Sequence, residues 1–243
     1  MKLPELLTDL RLAWCGENHE DLAAEAARKQ WTHHQFLQRL MEGEWNRLHG
    51  NRVTRRLKQA RFPVLKALDQ FDWNWPRKIN RPQIQDLFRL GFLKDKGNVV
   101  FIGGVGTGKT HLATALACEA CQQDHAVLYT SAVDIVNTLV GAQATDRLKA
   151  CLKRYTRPEI LLIDELGYLP IDKLGADLLF QVFSQRYERG STLITTNKAF
   201  KHWPDIFNGD VTITAAVLDR VLHHAESVVI EGPSYRMRER KAE

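Results

Sequence analysis

The sequence predicts an α/β protein, a parallel sheet covered by helices on both faces, preceded by a small all-helical basic module. Three observations carry this expectation. From residue 99 onward, short apolar runs alternate with segments of helical length, the pattern of repeated strand–helix–strand units. The run Val99-Val100-Phe101-Ile102 leads directly into Gly103-Gly104-Val105-Gly106-Thr107-Gly108-Lys109-Thr110, which fits G-x-x-x-x-G-K-[ST] between a strand and a helix. A second apolar run, Ile160-Leu161-Leu162-Ile163, ends in the carboxylates Asp164 and Glu165.

Taken in order, residues 3–70 have the spacing of helices throughout: Leu3, Leu6, Leu7 and Leu10, then Phe36, Leu37, Leu40 and Met41, recur every three to four positions. Thr32 followed by Gln35 has the form of a capping box opening a helix near residue 33. The aromatic, proline-containing stretch from Phe71 to Pro76, continuing to Arg81-Pro82, interrupts the periodicity and reads as a joint. The expected organisation is therefore a basic helical module over 1–70, a linker with a short helix at 83–93 within 71–98, and a nucleotide domain over 99–243. Within that domain, helices are expected at 111–123, 132–142, 145–155, 175–188 and 217–225. Strands are expected at 99–102, 126–130, 160–163, 193–196 and 227–231.

Residues 103–110 form a P-loop, whose residue types follow from phosphate chemistry. Glycines permit a tight turn with backbone N–H groups aimed inward. Lys109 supplies a cation for the β- and γ-phosphates, and the Thr110 hydroxyl suits Mg²⁺. The helix that starts here, expected from His111, adds its positive dipole end. In an open α/β sheet, ligands bind beyond the carboxyl ends of the strands, so Asp164 and Glu165 are expected beside this loop. Asp164 suits the Mg²⁺ shell together with Thr110. Glu165 suits the base that orients and deprotonates the attacking water. The next strand ends in Asn197, whose amide suits holding that water or sensing the γ-phosphate. Asn197-Lys198 is followed by Ala199 and Phe200 where guanine recognition would place Asp at the fourth position, so ATP is favoured over GTP.

Length and composition suit a folded domain: 243 residues, 26% charged, 44% hydrophobic. The formal charge of +5 permits a polyanionic partner. No apolar stretch approaches the roughly 20 residues that span a bilayer, and Met1-Lys2-Leu3-Pro4-Glu5 does not resemble a signal peptide. A cytoplasmic, DNA-associated protein is expected. Cys118 and Cys121 form a CxxC without a second pair at zinc spacing, and read as small buried helix residues. His33-His34 and His223-His224 read as surface or packing residues.

The P-loop, the Asp164-Glu165 and Thr196-Asn197 strand ends, and Leu218-Asp219-Arg220 together resemble the AAA+ ATPases of the initiator and helicase-loader clade. Asp164-Glu165-Leu166-Gly167-Tyr168-Leu169-Pro170 narrows the likeness, as do Leu218 to Ala225 and Gly232-Pro233-Ser234-Tyr235-Arg236. These segments closely resemble the IstB family, ATP-dependent helpers of insertion-sequence transposition. The resemblance implies an AAA+ fold, ATP hydrolysis used as an assembly switch, Asn197 as sensor 1, and Arg220 as an arginine finger on a neighbouring subunit's nucleotide. It also implies ATP-dependent head-to-tail oligomers and a cognate transposase as partner. The chain is expected to lack a C-terminal helical lid, which leaves a sensor 2 role for Arg236 unassigned.

Two basic segments suit duplex DNA bound with little sequence preference. One is Arg47, Arg52, Arg55, Arg56, Lys58 and Arg61, in a run to Lys66 that contains no acidic residue; the other is Arg147, Lys149, Lys153 and Arg154. Two further readings stand beside transposition. A helicase loader of the same clade would act on a replicative helicase, and a translocating motor would separate strands.

Overall fold

The structure is a computed structural model that describes residues 2–237. Its contacts divide the chain into two units, Met1–Arg55 and Arg56–Glu243, a division inside a helix rather than near residue 70.

The first unit contains α1 (Leu3–Asp9), α2 (Ala13–Arg28) and most of α3 (His33–Ala60). The Thr32–Gln35 capping box is present: the Thr32 N–H donates to Gln35 Oε1 at 2.8 Å and the Gln35 N–H to Thr32 Oγ1 at 3.3 Å. Leu7, Cys15 and Leu40 form the centre of a small core. Close crossing of α2 and α3 depends on Gly43, where an added Cβ would run into the Trp14 ring. Beside it the buried Glu44 accepts the Cys15 N–H at 3.1 Å and pairs with Arg47. Burial pushes the Glu44 carboxyl up, but the bonds from Arg47 and the Cys15 N–H outweigh it and hold its pKa below the ordinary value.

Helicity does not continue to residue 70. The α3 helix ends at Ala60, Arg61 turns to a left-handed φ of 61°, and Pro63 follows; neither suits continuation of a helix.

The second unit is built on a parallel sheet in the order β2-β3-β4-β1-β5. Its strands are β1 (Asn98–Gly103), β2 (Val127–Ser131), β3 (Ile160–Leu166), β4 (Ser191–Thr196) and β5 (Ala225–Ile230). The helices are α4 (Arg81–Leu87), α5 (Lys109–Gln122), α6 (Ala132–Gln143), α7 (Leu148–Thr156), α8 (Lys173–Arg186) and α9 (Val211–Leu222). The continuous apolar runs of β1 and β3 are explained by burial on both faces. Ile160 and Leu162 pack with Leu112 and Leu116 of α5, whereas Leu161 and Ile163 pack with Ile135, Leu179 and Val217 of α6, α8 and α9. Cys118 and Cys121 lie buried and free on α5, with burial pushing the Cys121 thiol up to about 12.

Two helices differ most from expectation. The short helix starts at Arg81 and stops at Leu87, because Asn80 caps it by accepting the Gln83 N–H at 3.2 Å and Leu90 is left-handed. The α9 helix starts at Val211, capped by Asp210 accepting the Ile213 N–H at 2.9 Å, and Ala225 belongs to the strand that follows. The β-branched Val211, Thr212, Ile213 and Thr214 weaken the helical signal that this cap supports.

At the amino ends of β3 and β4, buried Arg186 donates to the carbonyls of Tyr155 and Pro158 at 2.9 Å and of Glu159 at 3.1 Å. It also donates to the Ser191 carbonyl and to Thr192 Oγ1, and so ties together the segments entering both strands.

Candidate nucleotide site

β4 lies between β1 and β3, so the P-loop and Asp164 face each other across the end of a middle strand. The P-loop glycines have a conformational reason: Gly106 and Gly108 have φ of 73° and 98°, a region costly for side chains. At Gly108 a Cβ would also stand 2.6 Å from the Phe71 ring.

Val105, Gly106, Thr107, Gly108, Lys109, Thr110 and His111 line a cavity of about 560 Å³, together with Glu165, Thr195 and Asn197. Gly103 and Gly104 precede these residues in the loop, and the Gly104 carbonyl accepts from Lys109 Nζ at 2.7 Å and Thr107 Oγ1 at 2.9 Å. Burial draws the Lys109 pKa below the ordinary lysine value, with Asp164 and Glu165 opposing that effect and Arg236 adding to it. His111 is committed locally. Its Nε2–H donates to the Ala67 carbonyl at 3.0 Å and its ring meets Phe71 edge-on at 5.5 Å, so it braces the cavity wall.

Asp164 is buried and accepts three hydroxyl hydrogen bonds. Thr110 Oγ1 donates to Oδ1 at 2.9 Å, Thr195 Oγ1 donates to the same oxygen, and Tyr129 Oη donates to Oδ2 at 2.7 Å. The Thr110–Asp164 pair is an oxygen donor set of the hard kind that Mg²⁺ takes.

Glu165 reaches the same space through a local distortion. The β3–β4 register shifts between Ile163 and Leu166, and Glu165 adopts a φ of 60°. Such a bulge re-aims a side chain, and left-handed backbone at a non-glycine residue costs about 1–3 kcal/mol. The Glu165 N–H donates to Thr195 Oγ1 at 2.9 Å. Thr195 thus holds both acidic positions at once.

The far wall comes from Phe71, Trp75 and Pro76, which the sequence pattern presented as a joint, and from Pro63 and Val64, which it placed in the helical module, faced by Tyr235 and Arg236. Trp75 Nε1 donates to the Pro233 carbonyl at 3.0 Å, the Trp75 and Tyr235 rings meet edge-on at 5.3 Å, and the Tyr235 N–H donates to the Gly106 carbonyl at 2.8 Å. An apolar, aromatic end beside a cationic loop suits a flat base joined to phosphates. The clustered aromatics at 71–75 were the available signal for this wall. Tyr129 and Thr195 had none, since their partners are distant in sequence.

Arg220 lies elsewhere. Its Nη1 donates to the Ala216 carbonyl at 2.8 Å, and its guanidinium stacks 5.1 Å from the centre of the Phe180 ring. It shares a small cleft with Asn98 and Thr192, at the amino ends of β1 and β4. The P-loop follows the other end of β1, roughly 16–20 Å away at the rise of a strand.

The basic residues fall into two groups. The run from Arg47 to Lys66 contains no acid, but the fold supplies two. Arg47 pairs with Glu44, and Arg56 with Asp124 at 3.3 Å. Arg52, Arg55, Lys58 and Arg61 are exposed. On and beside α7, Arg147, Lys149, Lys153 and Arg154 are all exposed and enter no ion pair among the described residues; Arg154 lies over the Tyr155 ring at 5.5 Å.

Residues 5–243 match the model of the family described as IstB-like ATP binding protein. The chain belongs to that family. It is 37% identical over 240 residues to a Pseudomonas aeruginosa protein named for ATP binding in insertion sequence IS21, covering 99% of this chain and 90% of that protein. A Bacillus thuringiensis protein named for ATP binding in insertion sequence IS232 is 42% identical over 189 residues, covering 78% and 75%. Among solved structures, the DnaC helicase loader superposes with a TM-score of 0.56 at 19% identity, over 68% of this chain and 96% of that one. Aquifex aeolicus DnaA bound to AMPPCP gives 0.57 at 19% identity, over 74% of this chain and about half, 54%, of that one. The fold is thus that of the AAA+ initiators and helicase loaders, and the chain is an IstB-family ATP-binding protein. No described helix is long and apolar enough to cross a membrane.

Proposed function

We propose that this IstB-family chain is an ATPase switch of transposition: ATP joins copies head to tail, the assembly holds duplex DNA, and a transposase is recruited to it. The observation that carries the switch is the separation between the cavity and Arg220, at opposite ends of the same strand. A guanidinium in that position serves no phosphate of its own chain, but suits the nucleotide of a neighbour in a repeating heterologous contact.

Within one site, the P-loop N–H groups and Lys109 hold the phosphates, and Arg236 adds a second cation at the cavity wall. The Phe71 and Trp75 side receives the base. Thr110 and Asp164 would hold Mg²⁺, which when bound neutralises charge on the β- and γ-phosphates. Glu165, aimed by the bulge, takes the proton of the attacking water, and Asn197 orients that water.

Mixing two inactive proteins tests the arrangement. Arg220→Ala is expected to keep ATP affinity and lose turnover and assembly, and Glu165→Gln to bind without turnover. Their mixture regains part of the wild-type ATPase rate, because some interfaces pair an intact Glu165 with a neighbour's intact Arg220. No recovery in confirmed mixed assemblies makes Arg220 a structural residue.

For DNA, α7 is the favoured contact, since its cations have no acidic partners among the described residues. If each binds a phosphate, the log–log salt slope of duplex affinity falls by about 0.9 per contact removed. Lys149→Ala/Lys153→Ala is therefore expected to flatten the slope by about 1.8 for every duplex sequence. Parallel lines for variant and wild type would move the contact to Arg52, Arg55, Lys58 and Arg61. The likeness to DnaC favours a second reading, a loader of a replicative helicase. Stimulation of DNA strand transfer by a transposase of an insertion sequence of this type, with no effect on helicase loading, decides for transposition.

A further inference from the structure

One of the three hydroxyls on Asp164 comes from β2, a strand that contributes no residue to the cavity wall. The other two, from Thr110 and Thr195, both fall on Oδ1; the bond from Tyr129 Oη falls on Oδ2, at 2.7 Å. The difference matters because a carboxylate rotates about a broad, shallow torsion. Bonds at one oxygen leave the plane free to swing, whereas a bond at each oxygen fixes it, with Oδ1 kept toward Thr110. Tyr129 is itself braced. Its half-buried ring meets the edge of Phe62, with centroids 6.2 Å apart and planes at 62°, and Phe62 lies just past Arg61, the residue at which α3 has ended.

We propose that Tyr129 is a positioning residue for metal loading: it sets the Asp164 carboxylate in the orientation that binds Mg²⁺, and Phe62 keeps the phenol in place. The proposal rests on the reading of Thr110 and Asp164 as the Mg²⁺-holding pair. Groups that orient metal ligands typically govern metal affinity by 10–100-fold, and phenylalanine at 129 removes only the hydroxyl while keeping the ring against Phe62.

The test is a Mg²⁺ titration of the binding of a fluorescent, ribose-labelled ATP analogue, with matching measurements in EDTA and no DNA present. Tyr129→Phe is expected to raise the half-saturating Mg²⁺ concentration about tenfold and leave metal-free binding unchanged. An unchanged midpoint, or an equal loss with and without Mg²⁺, overturns the proposal, because packing alone would then explain the contact. Absence of any Mg²⁺ dependence in the wild type would instead overturn the reading of Asp164. Phe62→Ala keeps every hydroxyl on Asp164 and covers the case in which the first variant does not fold. A midpoint raised about threefold, the worth of one aromatic edge contact, supports the proposal, and no change there overturns the bracing role.

Discussion

Replacing Lys109 with alanine is expected to weaken ATP binding by about 100-fold or more, and ATP-dependent assembly falls with it. The side chain lies on the cavity wall, and its ammonium donates to the Gly104 carbonyl of its own loop at 2.7 Å. Hydrogen bonds involving charged groups contribute about 1.5–3 kcal/mol each. Two such bonds to β- and γ-phosphates amount to about two or more decades of affinity at 1.4 kcal/mol per decade. Folding should be little affected, since the one described hydrogen bond of this side chain lies within the loop. Calorimetric titration with ATP, beside a thermal melt, reads both quantities. Near-native affinity in a folded variant would mean that the cavity does not hold its ligand by the phosphates.

Glu165→Gln separates binding from chemistry. Glutamine keeps the shape of the side chain and the left-handed backbone that the Thr195 bond supports, but cannot take the water's proton. General-base catalysis is typically worth 10²–10⁴-fold, so the steady-state ATPase rate is expected to drop by about that factor while ATP affinity stays within about twofold. In the proposed switch assembly follows binding and release follows hydrolysis, so the variant is expected to persist on duplex DNA long after the wild type has dissociated. Turnover at the wild-type rate would remove Glu165 from the role of base. Wild-type binding with rapid loss from DNA would instead uncouple hydrolysis from release.

Features governed by neighbours in sequence were legible in the chain. Hydrophobic periodicity is local, so β1, β3 and the helices between them stand within a few residues of their expected places. The P-loop is a continuous segment whose glycines answer to backbone sterics. Asp164 and Glu165 follow an apolar strand, and a parallel sheet brings strand ends of one kind to one edge. Capping also acts over three residues, which is why Thr32–Gln35 forecast the start of α3. The end of α3 was less legible, because apolar spacing continued past Ala60 while Arg61 and Pro63 broke the backbone.

The sequence by itself therefore determined the order of elements, the phosphate loop and the two acids. The tertiary structure decided what surrounds them. Tyr129 and Thr195 reach Asp164 from 35 and 31 residues away, and Arg56 finds Asp124 across 68. The bulge that aims Glu165 exists only against β4, and the aromatic wall closes only where residues 63–76 meet 233–236 across the P-loop. Hydrogen bonds, ion pairs and burial depend on distance in space, and no local periodicity encodes which distant segment supplies the partner. Arg220 belongs to the same class: the family resemblance implied a role for it, but its place at the opposite end of β1 from the P-loop was set by the packing of α9 against the sheet.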